Sequence, residues 1–181
     1  MAEDKFGLNM FMKELINEIA EDKVKYKIFC DSDNVLTDFD NNFKKYSGGI
    51  SPREYEDKMG KEKFWSLIDK KVGLEFWEKM ERMNDGHELW NYIKNYNPII
   101  LSAPSRDPIS SKGKQNWVKN NLPGTKLILA FSDKKKNYAK ENYILIDDLE
   151  KNIKDWNNSG GIGILHTSTN NTIEQLKKLG L

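Results

Sequence analysis

Cysteine occurs once in these 181 residues, as Cys30, and histidine twice, as His87 and His166. A single cysteine excludes a disulfide framework and any multi-cysteine metal site. The two histidines are isolated from each other and from any metal-ligand spacing. His87 falls at a predicted helix start. His166 ends a predicted strand, which leaves open a place beside a site. No charge of one sign is in excess: Lys and Arg number 29 against 28 Asp and Glu, a formal net charge of +1. That balance argues against a polynucleotide or an anionic membrane surface as the main partner. No apolar run approaches the roughly 18 residues that a membrane span needs. The first residues, Met1 to Phe6, lack the basic-then-apolar pattern of a signal peptide. Repeats, low-complexity tracts and flexible linkers are absent too, and the expectation is a cytoplasmic protein of one domain, or one core domain with a modest insertion.

What the chain does have is enough apolar bulk for a core: 38% hydrophobic residues, including five Trp, seven Tyr and eight Phe. Leu8, Phe11, Met12, Leu15, Ile16 and Ile19 recur at helical spacing within 4–22. This helix is expected to pack on the domain's own sheet, or on a second subunit in a homodimer. An apolar strand-like run, Tyr26, Ile28, Phe29 and Cys30, then leads into Asp31-Ser-Asp33-Asn-Val-Leu-Thr-Asp-Phe39. Strand side chains alternate, so Asp31 and Asp33 are expected to point the same way as the strand leaves the sheet.

Residues 40–97 are charged and helical in pattern. Ser51-Pro52-Arg53-Glu54 reads as a capped helix start, and Phe64-Trp65, Phe76-Trp77 and Leu89-Trp90 mark further helices. Four short helices between two strands are too many for one crossover, so 40–97 reads as a helical insertion. Strands are predicted again at 98–102, ending in Ser102, at 126–132, at 143–148, ending in Asp147-Asp148, and at 162–166. Helices are predicted around 110–121, 150–158 and 171–179. Alternating strands and helices imply a parallel sheet with helices on both faces.

In such a sheet the carboxyl ends of the strands line one edge, where ligands bind. That edge would gather Asp31, Asp33, Asp147 and Asp148, four carboxylates whose repulsion calls for a cation. An all-oxygen ligand set without His or Cys favours Mg²⁺. A hydroxyl, Ser102, and a nearby lysine would supply the hydrogen bond and the positive charge that a phosphoryl group needs.

Together, Asp31-x-Asp33-x-Val-Leu-Thr, Ser102 after an apolar strand, a downstream lysine and Ile-Asp147-Asp148 resemble the four motifs of the haloacid dehalogenase (HAD) superfamily of phosphohydrolases. The likeness spans roughly 26–166. More narrowly, Asp31 to Phe39, Phe64-Trp65 and Leu-Ile-Asp-Asp resemble the 5'(3')-deoxyribonucleotidases. The resemblance implies an α/β, Rossmann-like three-layer core with a five-stranded parallel sheet, in which the strands of Asp31, Ser102 and Asp148 are neighbours. The core would be 1–39 with 98–181, and 40–97 a small helical cap. It implies that Asp31 is a nucleophile forming an aspartyl-phosphate, and that Asp33 is the acid and base. Mg²⁺ would be held by Asp31, the Asp33 carbonyl and Asp148, with Asp147 in support. Ser102 and the Ala103 amide would hold phosphoryl oxygens. Lys134 is the expected motif lysine, with Lys135 and Lys136 in equal reach and Lys114 as a weaker candidate. Where related nucleotidases often carry Arg after the paired acids, this chain has Leu149. Phe39, Phe64, Trp65 and Trp77 are candidates to stack a nucleobase, against the alternative of a cap core.

The expected activity is therefore Mg²⁺-dependent hydrolysis of a small phosphomonoester, a (deoxy)nucleoside monophosphate first and a sugar phosphate second. A catalytically silent phospho-ligand binding protein is the remote alternative. A phospho-receiver domain is disfavoured by order, because its paired acids come early and its acceptor Asp on a later strand.

Overall fold

The first strand, β1 (Lys27–Cys30), forms on the apolar run of Ile28, Phe29 and Cys30, which is buried on both faces after an exposed Lys27. Ile28 and Cys30 join one apolar cluster while Phe29 joins another, so alternation along four residues already divides the molecule into layers. The computed structural model describes residues 26–181; the amphipathic stretch at 4–22 lies outside the described residues.

Between β1 and the second strand run α1 (Phe39–Tyr46), α2 (Pro52–Met59), α3 (Lys61–Ser66), a π-helical turn (Leu67–Val72), α4 (Leu74–Glu78), α5 (Gly86–Ile93) and a 3-10 turn (Lys94–Tyr96). The rest of the chain alternates: β2 (Ile99–Ser102), α6 (Pro108–Asn121), β3 (Lys126–Leu129), a 3-10 turn (Ser132–Tyr138), β4 (Tyr143–Asp147), α7 (Glu150–Asn158), β5 (Ile162–Leu165) and α8 (Thr169–Lys178). The Ser51 hydroxyl accepts from the Glu54 amide and Pro52 opens α2, the cap its sequence announces.

All five strands are parallel, in the order β3-β2-β1-β4-β5. The chain builds outward from β1 through β2 to β3, then crosses back to β4 and on to β5. The direction reverses beside β1, which places the loops after β1, β2 and β4 together at the switch point. One face of the sheet is covered by the insertion with α5, α6 and α8, and the other by α7, whose Ile153 and Trp156 pack on Phe29 and Leu145.

A single apolar cluster joins the insertion to the sheet. The last helix of the 40–97 stretch, α5, packs against the C-terminal helix α8. Helix α4 lies against α6, and Gly113 is the reason it approaches so closely: a Cβ there would stand 2.3 Å from the Trp77 Cβ. Among the described residues, no helix is long and apolar enough to cross a membrane.

Candidate active site

The loop after β1 folds back on itself. The Ser32 carbonyl accepts from the Leu36 amide (2.8 Å), the Thr37 amide (2.8 Å) and the Thr37 hydroxyl (3.0 Å). Asn34 makes the reversal with φ at 55°, a region Asn tolerates better than most residues. This hairpin-like loop holds Asp31 and Asp33 at the carboxyl edge of the sheet. Neighbouring strand ends bring Ser102 and Asp147 to the same edge.

The two acids after β1 acquire different partners. Asp31 accepts from the Ser32 amide at 2.8 Å through Oδ1, and its Oδ2 lies 2.7 Å from Lys135 Nζ. The Asp33 carboxylate faces Lys114 instead, at 2.8 and 2.6 Å from its two oxygens, and also accepts from the Ser32 and Thr37 hydroxyls.

The lysine that reaches Asp31 is Lys135, not Lys134. Lys135 is 1% exposed and pairs with both Asp31 and Asp147 at 2.7 Å. The Lys134 side chain is 61% exposed and pairs with Asp133. The reason is the 3-10 turn, whose three-residue period puts positions i, i+3 and i+6 on one side. Ser132 bonds Asn152, Lys135 enters the site and Tyr138 packs on Phe29, while Asp133, Lys134, Lys136 and Asn137 face out. Burial works against the charge on Lys135, but Asp31 and Asp147 outweigh it and hold the ammonium above lysine's usual range.

Asp147 is fully buried and fully used. It accepts from Lys135, from both-oxygen contact with the Asn152 amide, and from the Leu149 backbone amide. Among the described residues, Asp148 accepts one long side-chain hydrogen bond, from Asn34 at 3.4 Å. Oxygens of Asp31, Asp147 and Asp148 can all lie within 4.8 Å of one another. Burial, with Asp31 and Asp147 adding repulsion, pushes Asp148 up to about 7. Burial also raises Asp31 to about 6, against the pull of Lys135 and with Asp147 and Asp33 adding to the rise.

These are carboxylates short of positive charge, in an oxygen-only setting that suits a hard divalent cation. Asp31 and Asp148 have acceptor capacity left for it. Asp147, spent on Lys135 and Asn152, serves to hold the others in place.

Ser102 is 0% exposed, and its hydroxyl is 2.6 Å from the Ser32 hydroxyl and 3.0 Å from Lys114 Nζ. Ala103, next along the chain, is half-buried. The aromatic candidates divide. Phe64 is buried and stacks on Phe43 at 4.9 Å, and Trp77 is buried with its indole N–H donating to Asp69. Both belong to the apolar cluster, which corrects their expected place on a substrate-facing surface. Phe39 and Trp65 remain half-buried, packed edge-on against Phe76 and Phe64 respectively. His166 is turned away from the carboxylates: its Nδ1 lies 2.8 Å from the Thr172 hydroxyl. His87 is exposed at the start of α5, and Cys30 is core.

Sequence reasoning missed Asn34, Thr37 and Asn152. Asn152, five residues after Asp147, lies in the first turn of α7, and that spacing was the one available signal.

No family model matches the chain, and no curated protein matches it. Solved structures do. A hydrolase from Streptococcus pneumoniae TIGR4 covers 84% of this chain and 99% of its own, with a TM-score of 0.53 at 14% identity. A HAD-superfamily hydrolase from Ehrlichia chaffeensis covers 86% of this chain and 97% of its own, with a TM-score of 0.51 at 11% identity. The fold is thus the HAD-like α/β fold. The narrower resemblance to deoxyribonucleotidases rests on the sequence alone.

Proposed function

We propose that the protein is a Mg²⁺-dependent phosphomonoesterase that works through an aspartyl-phosphate on Asp31. The observation that carries this is the buried Lys135 held between Asp31 and Asp147, with Asp148 beside them and Ser102 on the adjacent strand. A structural ion pair would need one carboxylate for one ammonium. Here there is a surplus of buried acid, and perturbed carboxyls gathered at a switch point are the mark of a reacting site.

In the proposed reaction an Asp31 carboxylate oxygen attacks phosphorus, and the bond from phosphorus to the ester oxygen breaks. The Asp33 carboxyl gives its proton to that leaving oxygen. Asp33, now a carboxylate, then takes a proton from water as the water oxygen attacks phosphorus. The bond between Asp31 and phosphorus breaks, regenerating the carboxylate and releasing phosphate. Lys135 keeps Asp31 ionised and oriented, and Ser102 with the Ala103 amide would hold phosphoryl oxygens. Mg²⁺, held by Asp31, Asp148 and the Asp33 carbonyl, would offset the negative charge of the phosphoryl group.

Nucleoside monophosphates are the first substrate class to test, on the sequence resemblance and on Phe39 and Trp65 as the two aromatic candidates not fully enclosed. Sugar phosphates are the second. The test is phosphate release with Mg²⁺ and with EDTA, across ribo- and deoxynucleoside 5'- and 3'-monophosphates and common sugar phosphates. Metal-dependent turnover that Asp31→Asn abolishes in a folded protein is expected. Silence on every compound from the folded, Mg²⁺-loaded protein would move the reading to a phospho-ligand binding protein.

A further inference from the structure

Asn34 occupies the point of the loop after β1 where the backbone goes left-handed, with φ at 55°. Glycine meets that demand at no steric cost, whereas asparagine only tolerates it. The asparagine side chain, however, is engaged at both of its polar atoms. Oδ1 accepts from the Asp40 backbone amide at 3.2 Å, and Nδ2 donates to Asp40 Oδ1 at 3.1 Å and to Asp148 Oδ2 at 3.4 Å. The network itself decides which atom is oxygen and which is nitrogen. A backbone amide can only donate, so Oδ1 must face it, and Nδ2 then faces two carboxylates that only accept. The Asp40 amide lies in the first turn of α1, where helix N–H groups have no partner within the helix. Asp38 takes the next amide, that of Asn41, at 3.1 Å. Asn34 thus ties the first helix of the insertion to a carboxylate with room for a cation.

We propose that Asn34 is a positioning residue for the divalent cation, which holds the Asp148 carboxylate in its metal-binding orientation, with Asp40 as the anchor. This role rests on the Mg²⁺ reading of the site. Asp31 and Asp147 are both oriented by Lys135, and Asp148 depends instead on Asn34. A ligating carboxylate gains affinity from an outer hydrogen bond that fixes it before the ion arrives. The chemistry of the partner fits that task. An ammonium beside Asp148 would repel the cation, whereas a neutral amide orients the carboxylate and leaves its charge available. The anchor fits too: one Nδ2 proton and Oδ1 are both committed to Asp40, which aims the second proton at Asp148. A turn former alone needs no side chain, so glycine at 34 separates the two roles.

The experiment measures Mg²⁺ affinity without turnover, from the rise in Tm of the full chain with Mg²⁺ concentration at pH 8. The concentration dependence yields Kd separately from any change in the metal-free Tm. Asn34→Gly keeps the left-handed turn and removes the side chain, and its Kd for Mg²⁺ should rise roughly tenfold or more. Asp40→Ala removes the anchor from an exposed position and should raise Kd by a smaller factor. Asp40→Asn keeps an acceptor but not the charge, and should raise it less than Asp40→Ala does. In the Asn34→Gly background Asp40→Ala should add nothing. A rise of less than about threefold for Asn34→Gly overturns the proposal. So does an equal rise from Asp40→Ala and Asp40→Asn, which would trace the effect to the charge of Asp40. If Asn34→Gly does not fold, that comparison of the two Asp40 variants decides. A Tm that does not respond to Mg²⁺ in the unaltered protein would instead defeat the Mg²⁺ reading, and this role with it.

Discussion

Lys135 Nζ stands 2.7 Å from Asp31 Oδ2, and both side chains are enclosed by protein. A second carboxylate, Asp147, holds the same ammonium from the other side. Three charges buried together are stable only as a set. Removing the ammonium leaves two buried carboxylates facing each other unpaired, and breaking such a pair costs about 3–5 kcal/mol.

Lys135→Met should therefore lower both stability, by about that amount, and turnover, by roughly 10²-fold or more. Lys134→Met, altering an exposed side chain, should change neither beyond about twofold. Thermal denaturation and phosphate release on the two variants decide which lysine serves the site. Equal losses from both would contradict the inward turn of Lys135.

The carboxyls of Asp31 and Asp148 lie above the ordinary value of 3.8, at about 6 and about 7. A carboxyl raised in the folded state binds its proton more tightly there than in the unfolded chain. Its favourable contribution is complete below pH 3.8 and is lost as pH rises through about 6 for Asp31 and about 7 for Asp148. Metal-free protein should accordingly lose stability between pH 5 and pH 8, and Asp148→Asn should flatten that slope.

Mg²⁺ should act in the opposite sense, because it binds ionised carboxylates in the folded protein alone. Its effect on Tm should be larger at pH 8 than at pH 5, and absent in Asp148→Asn at both. A Mg²⁺ shift that survives in Asp148→Asn would place the ion elsewhere.

Phe64 is buried against Phe43, so Phe64→Ala should cost stability by about 3–5 kcal/mol. Substrate preference across the phosphomonoester panel should be unchanged once activity is referred to folded protein. A selective rise in KM for nucleotides, with little change in Tm, would return Phe64 to the substrate surface.

Gly113→Ala sets two effects against each other. Alanine favours a helix over glycine by about 1 kcal/mol, but its Cβ would fall 2.3 Å from the Trp77 Cβ and 3.3 Å from the Glu78 backbone nitrogen. Neither neighbour is the free end of a flexible side chain, so overpacking should win by about 1–2 kcal/mol. A lower Tm is expected. An unchanged or higher Tm would show that α4 can move off α6.

By itself the sequence determined the layers and the acids at the strand ends. Apolar runs bounded by polar turns are local, so β1, β2, β4 and β5 were legible to within a residue or two, and so were the acids that end them. The resemblance then made neighbours of the strands of Asp31, Ser102 and Asp148, and in the sheet β1 does lie between β2 and β4. What the tertiary structure decided was which of several adjacent side chains turns inward. Lys134, Lys135 and Lys136 are equivalent in composition, and a 3-10 turn of period three selects the middle one. Phe64 and Trp77 carry the same aromatic faces as Trp65 and Phe39, and only the packing of α1, α3, α4 and α6 shows which pair is enclosed. Lys114 is twelve residues from Ser102 and far from Asp33 in sequence, and no local pattern links them. Their meeting depends on β1 and β2 being neighbours and on a glycine that lets α4 close behind the ammonium.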